Sequence, residues 1–212
     1  VCPFDPRGVL ARVEERARAL GYEPMFALEY EFGIFHADHD LMRAGRYREL
    51  KPWGHSLINY DLVRSGEYQD FAAEFITRMK SIGIGVASLV TEYGYGMYEY
   101  ALTPKSALQA VDDAMRAKLH LRELCAERGL VATFMTRFQP PGKESACGAH
   151  HHVSRGRDGK PAFAAGPNRL TPGAYKGRAG VLNRLPESHL LFRPTVNSYR
   201  REFDLPKDWN GR

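Results

Sequence analysis

Four glutamates and a run of three histidines are the residues of this chain best placed to do chemistry. In Leu28-Glu29-Tyr30-Glu31-Phe32, strand alternation puts Glu29 and Glu31 on one face and Leu28, Tyr30 and Phe32 on the other. Alone, the pair reads better as the solvated face of a strand. The segment Thr91-Glu92-Tyr93-Gly94-Tyr95-Gly96-Met97-Tyr98-Glu99-Tyr100 changes that balance. It places two more glutamates around a glycine-punctuated turn, among aromatic side chains. A carboxylate in apolar company is costly unless its charge is paired. A divalent cation supplies the pairing, and hard oxygen ligands suit Mg²⁺ or Mn²⁺.

Gly148-Ala149-His150-His151-His152-Val153-Ser154 carries the histidines. On a strand, His150, His152 and Ser154 share one face and His151 takes the other. Taken alone the run is a surface feature. Beside four carboxylates it offers mixed nitrogen and oxygen ligation for a cation that also meets phosphate. Finally, Arg193-Pro194-Thr195-Val196-Asn197-Ser198-Tyr199-Arg200-Arg201 reads as a loop with a basic pair. Arginine forks of this kind grip carboxylates or phosphates in two-pronged fashion.

The elements that must position these groups follow from spacing. Asp5-Pro6 is a helix start, an N-cap acid followed by proline. Val9, Leu10, Val13, Ala17 and Leu20 continue it at helical intervals to Gly21. Residues 25–35 alternate as a strand, and a polar loop with Gly45, Pro52 and Gly54 follows. Residues 71–82 form a second amphipathic helix; 84–90 and 96–102 are strands. Thr103-Pro104 repeats the cap-plus-proline start and opens a helix to about Arg128. Short strands are expected over 131–135 and 148–154, a turn over 139–142, a loop over 155–172 and a helix over 174–191. This pattern gives an α+β class: a curved, largely antiparallel sheet with helices packed outside.

Bulk composition excludes several classes. Apolar residues at 43% and charged residues at 26% suit a folded globular chain and exclude disorder. The net charge of +5 is scattered without a dense basic block, so no nucleic-acid partner is expected. No apolar run is long enough to span a membrane, and none resembles a secretory leader. Cys2, Cys125 and Cys147 lack metal-ligand spacing and suit the reducing cytoplasm.

The order of these motifs resembles the glutamine synthetase family. Glu-x-Glu on a strand is followed by Glu-x-x-x-Gly-x-x-Glu, then Gly-x-His-x-His-x-Ser, then Pro-Thr-x-Asn-Ser-Tyr-x-Arg. Ala132-Thr133-Phe134-Met135 and the long helix with Ala110, Asp112 and Lys118 are similar to the family as well. The likeness runs over residues 5–201. A guanidino-type phosphotransferase would share the carboxylates but not the His-x-His strand.

The resemblance implies an ATP-dependent carboxylate–amine ligase. ATP would phosphorylate the side-chain carboxylate of glutamate or a similar acid, and ammonia or an organic amine would displace the phosphate. It implies two cation sites for Mg²⁺ or Mn²⁺. Glu31, Glu92 and Glu99 match the ligands of the first, on the amino-acid side. Glu29 and His150 match two ligands of the second, on the nucleotide side. His152 matches a residue near the phosphates, with Ser154 beside it, and Arg201 matches an arginine that holds the acid substrate. It also implies a homo-oligomeric ring for the full-length parent. Residues 1–212 are then expected to be a partial catalytic domain, without the family's N-terminal β-grasp domain and C-terminal part. A second-site glutamate and downstream arginines are not found, Lys207 falls where a flap glutamate is usual, and Ser145-Ala146-Cys147 replaces the usual Asn-Gly-Ser. On this reading the chain alone binds divalent cations without ligating amides; a non-catalytic or truncated metal-binding family member is the alternative.

Overall fold

One long strand, β1 (Tyr22–His36), organises the molecule. The computed structural model describes residues 4–55, 60–138, 147–157, 160–161, 164–166 and 169–170. The expected turn at 139–142, the helix at 174–191 and Arg201 lie outside the described residues. Two compact units are distinguished, Val1–Phe163 and Ala164–Arg212.

In the first unit, α1 (Pro6–Ala19) begins as its sequence dictates. The Asp5 carboxylate accepts the Gly8 backbone N–H at 2.8 Å, and proline occupies the first turn. Arg7 then grips Asp112 with both arms of its guanidinium, at 2.9 and 2.8 Å, holding α1 against α4 (Ala107–Glu127). Between β1 and α3 (Gln69–Ser81) lie α2 (His39–Arg43) and two short 3-10 turns, Tyr47–Glu49 and Arg64–Tyr68. The hairpin β2 (Val86–Thr91) and β3 (Met97–Leu102) follows, then β4 (Lys105–Ser106), α4, β5 (Leu130–Thr133), β6 (Ala149–Arg157) and β7 (Lys160–Pro161).

These strands form one seven-stranded sheet, and every pairing in it is antiparallel. Along one edge β1 pairs with β3 and β4; along the other it pairs with β6 and β5. The fold is thus α+β, an antiparallel sheet with helices at its periphery. The second unit contributes, among its described residues, the short hairpin of β8 (Ala164–Gly166) and β9 (Arg169–Leu170). No helix of the described residues is long and apolar enough to cross a membrane.

The core lies on one face of the sheet. Leu28, Phe32 and Ile34 from β1 and Tyr98, Tyr100 and Leu102 from β3 are buried there. Phe71, Phe75 and Met79 of α3 cover them, joined by Leu121 and Leu124 of α4. Ala110, Ala114 and Ala117 are small enough to let α4 approach closely. The alternation that buries these residues sends Glu29, Glu31 and Glu99 to the opposite face.

Two expectations are corrected. Thr103-Pro104 does not open the long helix. Lys105 and Ser106 first pair with Phe26 and Met25, and only then does α4 begin, at Ala107. Thr103 instead donates its backbone N–H to the Gly85 carbonyl at 2.9 Å, so the helix start is displaced by sheet pairing. The segment 155–172 is not wholly loop. β6 follows β1 as far as the Tyr22–Arg157 pair and turns back into β7, because the edge of β1 still has backbone groups to satisfy.

Among the described residues, one buried side-chain group is unpaired. The Tyr100 hydroxyl, fully enclosed among Tyr30, Phe32 and Phe75, has no hydrogen-bond partner among them. Tyr100→Phe removes an orphaned polar atom and keeps the ring. We expect it to raise unfolding stability by about 1 kcal/mol, read from urea midpoints. A loss of stability would show that the hydroxyl is satisfied in solution.

Candidate metal centre

The sheet register assembles the site. Glu31 stands directly opposite Glu99 in the β1–β3 ladder, so the two carboxylates share a face. Glu92 follows the last residue of β2, where the chain turns back into β3. That turn is closed by Glu92 N–H to the Met97 carbonyl at 2.9 Å. Gly96 fixes its position. Its φ is +69°, and a Cβ there would lie 2.5 Å from the Ile34 carbonyl oxygen, so only glycine fits against β1. The Gly96 carbonyl in turn accepts the Ile34 N–H at 2.8 Å.

As a result, one carboxylate oxygen from each of Glu31, Glu92 and Glu99 falls within 4.8 Å of the others. Glu31 and Glu92 are half-buried, whereas Glu99 is only 6% exposed. Backbone donors orient two of them: Gly148 N–H to Glu31 Oε2 at 2.6 Å, and Tyr93 N–H to Glu92 Oε2 at 3.1 Å. Glu29 is hydrogen-bonded to Glu99.

The electrostatics are those of crowded negative charge. Burial, then Glu29 and Glu92, push the Glu99 carboxyl up to about 8. The hydrogen bond with Glu29, which Glu99 makes only while protonated, and the charge of Glu31 add to this. Tyr60 is raised as well, most by Glu99, then by burial and by Glu92, Glu29 and Glu31. Its phenol therefore senses all four carboxylates. The Cys147 thiol is raised to about 12, mainly by burial and secondarily by Glu31.

The donor set fits a hard divalent cation. Three convergent carboxylate oxygens, one of them on a buried residue among like charges, are a hard-oxygen ligand set. A bound Mg²⁺ or Mn²⁺ would offset that repulsion. The metal-free chain should accordingly lose stability as pH rises. Between Glu99's ordinary value of 4.5 and about 8, the folded chain holds a proton that the unfolded chain has released. This group's contribution is therefore intact below pH 4.5 and lost on approaching pH 8, by at most about 1.4 kcal/mol per pH unit. Melting temperatures at pH 5 and pH 8, with and without Mn²⁺, check this; Mn²⁺ should recover more stability at pH 8 than at pH 5.

The histidine strand takes its place through β6. His150 is paired with Glu29, His152 with Ala27 and Ser154 with Met25, whereas His151 is paired with the core residue Leu28. Positions 150, 152 and 154 thus lie on the carboxylate face of the sheet and position 151 on the core face. The structure brings Glu31, Glu92 and Glu99 together, hydrogen-bonds Glu29 to Glu99, and sets His150 at the ladder position across from Glu29.

Sequence reasoning did not single out Tyr60. It is the one described non-glycine residue with positive φ, at +54°. Its N–H donates to the Thr91 carbonyl at 3.0 Å, and the next N–H, of Asp61, to Thr91 Oγ1 at 3.0 Å. These bonds tie it to the end of β2, one residue before Glu92. A left-handed tyrosine carries no signal in hydrophobic periodicity, and strained backbone of this kind concentrates at functional sites.

Comparison with known proteins gives a consistent picture. The family model described as glutamine synthetase, catalytic domain, matches residues 3–205. A glutamate–isopropylamine ligase from Pseudomonas sp is 31% identical over 93% of this chain and 43% of its own length. A gamma-glutamylethanolamide synthetase from Streptomyces coelicolor is 29% identical over 92% of this chain and 42% of its own length. Among solved structures, the GmaS/ADP complex superposes with a TM-score of 0.71 at 25% identity, over 93% of this chain and 44% of that one. The chain therefore spans less than half the length of these relatives.

Proposed function

Because this chain belongs to the glutamine synthetase catalytic-domain family, we propose that it is the metal-bearing part of an ATP-dependent carboxylate–amine ligase. The observation that carries the reading is the convergence of Glu31, Glu92 and buried Glu99 within 4.8 Å. Buried like charges are kept where a cation is to be held.

In this reading Glu31, Glu92 and Glu99 hold one Mg²⁺ or Mn²⁺ on the amino-acid side. Glu29 and His150 contribute to a second on the nucleotide side. His152 and Ser154 lie near the ATP phosphates, and Arg201 holds the acid substrate. The cations, when bound, neutralise charge that develops on the transferring phosphoryl group. The protein's own part is positional. Opposed ladder positions on a rigid sheet fix the carboxylates before substrate arrives, which is where such sites gain most of their rate. Backbone N–H groups of Gly148 and Tyr93 hold two of them in orientation. The acid substrate is glutamate or a close analogue, and its side-chain carboxylate takes the γ-phosphoryl group. The amine nitrogen then attacks the acyl carbon, phosphate leaves, and the amine gives up a proton. An organic amine is favoured by the two relatives whose names specify isopropylamine and ethanolamide. A ring of several subunits is proposed for the parent protein.

Mn²⁺ calorimetry on this chain, alongside amine-dependent phosphate release from ATP and glutamate by the full product of its gene, tests the reading. We expect saturable Mn²⁺ binding and phosphate release that requires the amine. Mn²⁺ binding without any release would favour a non-catalytic family member, and absence of both would end the proposal.

A further inference from the structure

Glu92 differs from the other clustered carboxylates in how it is held. Glu31 and Glu99 occupy opposed rungs of the β1–β3 ladder, but Glu92 lies one residue beyond the end of β2. Its fixed point is the peptide that joins it to Thr91. The N–H of that peptide donates to the Met97 carbonyl at 2.9 Å, and its carbonyl accepts the Tyr60 N–H at 3.0 Å. The Met97 bond makes Thr91 and Tyr98 a pair that exchanges no backbone bonds, so the Thr91 N–H and C=O face the outer edge of β2. One segment takes up both. Tyr60 bonds to the carbonyl, and the Tyr68 hydroxyl bonds to the Thr91 backbone as well. Between them, the Asp61 N–H donates to Thr91 Oγ1 at 3.0 Å. The segment is braced within itself: the Asp61 carbonyl accepts the Ser65 N–H at 3.0 Å and the Asp61 carboxylate accepts the Val63 N–H at 3.1 Å.

We infer that Thr91 is a positioning residue for the cation site: held by both ends of segment 60–68, it fixes Glu92 within reach of Glu31 and Glu99. The inference rests on the metal reading above and adds to it a residue that is not itself a ligand. Thr91 pairs with the core residue Tyr98, so its side chain takes the face away from the carboxylates. It acts through the chain direction at Glu92. A carboxylate beyond the end of a ladder is free to sample several positions, and a cation that gathers it must offset that freedom. Pinning both polar atoms of the preceding peptide removes the freedom in advance. Thr91 is only 3% exposed, so water does not readily replace a bond lost there. Valine keeps the β-branched shape that suits a strand but lacks the acceptor for Asp61; serine keeps the acceptor.

A double-mutant cycle read by Mn²⁺ calorimetry on this chain tests the coupling. Thr91→Val should weaken Mn²⁺ binding by about fivefold to tenfold, the worth of one buried hydrogen bond, and Thr91→Ser should restore it to within about twofold. In a Glu92→Gln background, Thr91→Val should cost less than about twofold, because the ligand it positions is already gone. A merely structural threonine would give losses that add. Thr77→Val, which removes a hydroxyl bonded to the Ala73 carbonyl on α3, is the control and should change nothing. Tyr68→Phe loosens Thr91 by a second route while keeping the ring against Tyr98, and it should cost about threefold with the same dependence on Glu92. It decides the matter should Thr91→Val fail to fold. Wild-type affinity in Thr91→Val, a serine variant as weak as the valine one, additive losses with Glu92→Gln, or an unaffected Tyr68→Phe each overturn the inference while leaving the metal reading in place. Absence of Mn²⁺ binding by the wild-type chain overturns the metal reading and this inference with it.

Discussion

Replacing Glu99 with glutamine is expected to weaken Mn²⁺ binding by about a hundredfold or more while making the metal-free chain more stable at pH 8. Both effects have one cause. Glu99 is the most buried of the clustered carboxylates, and its neighbours Glu29, Glu31 and Glu92 oppose its ionisation. Glutamine keeps the shape and can still donate to Glu29, so the metal-free fold is relieved of a buried charge. The same change removes a charged oxygen from a three-carboxylate group, and direct ligands matter at least as much as the outer partners whose loss costs about 10- to 100-fold. Calorimetry measures the first effect. Melting curves from pH 5 to pH 8 measure the second, since the variant should lack the loss of stability that wild-type Glu99 causes on that path. Unchanged Mn²⁺ affinity would place the ion elsewhere. A less stable variant would mean that the carboxylate is compensated within the protein.

The second large effect separates adjacent histidines. His150→Ala should reduce Mn²⁺ affinity by roughly tenfold to a hundredfold, and His151→Ala should leave it within about twofold. The ladder gives the reason. Position 150 is opposite Glu29, and position 151 is opposite Leu28, which is 4% exposed on the core face. His151→Ala should therefore register, if at all, in the melting temperature. Parallel losses of metal affinity would mean that β6 slides along β1 in solution, since a one-residue slip exchanges the two faces.

Local elements were legible where a single segment decides its own conformation. Asp5 and Pro6 announce α1, and the alternation of Leu28, Tyr30 and Phe32 with Glu29 and Glu31 announces β1 and its two faces. What depends on a distant partner was not legible. Lys105 and Ser106 carry no strand signal; they are extended because β1 offers Phe26 and Met25 to pair with. Residues 155–157 are rich in arginine and glycine and read as loop, yet the length of β1 recruits them into β6. The grouping of Glu31 with Glu92 and Glu99 follows from sheet register, which periodicity does not encode, and motif order supplied it by resemblance. Tyr60 had neither signal, since its place at the site depends on a left-handed backbone and on bonds to Thr91.

The double-sided pairing of β1 also has a consequence for when the site comes into being. Its partners come from four other stretches of chain, and the bond from Gly148 to Glu31 joins residues 117 positions apart. Contacts of such range are closed late, after local helices and hairpins, because loop entropy must be overcome first. The β2–β3 hairpin can bring Glu92 and Glu99 near each other early, but Glu31 joins them only when β1 docks. In the mature fold the order reverses. Amides of β1 bonded along both edges should be among the last to exchange with solvent deuterium, so the strand that completes the carboxylate cluster is also the one slowest to let it go.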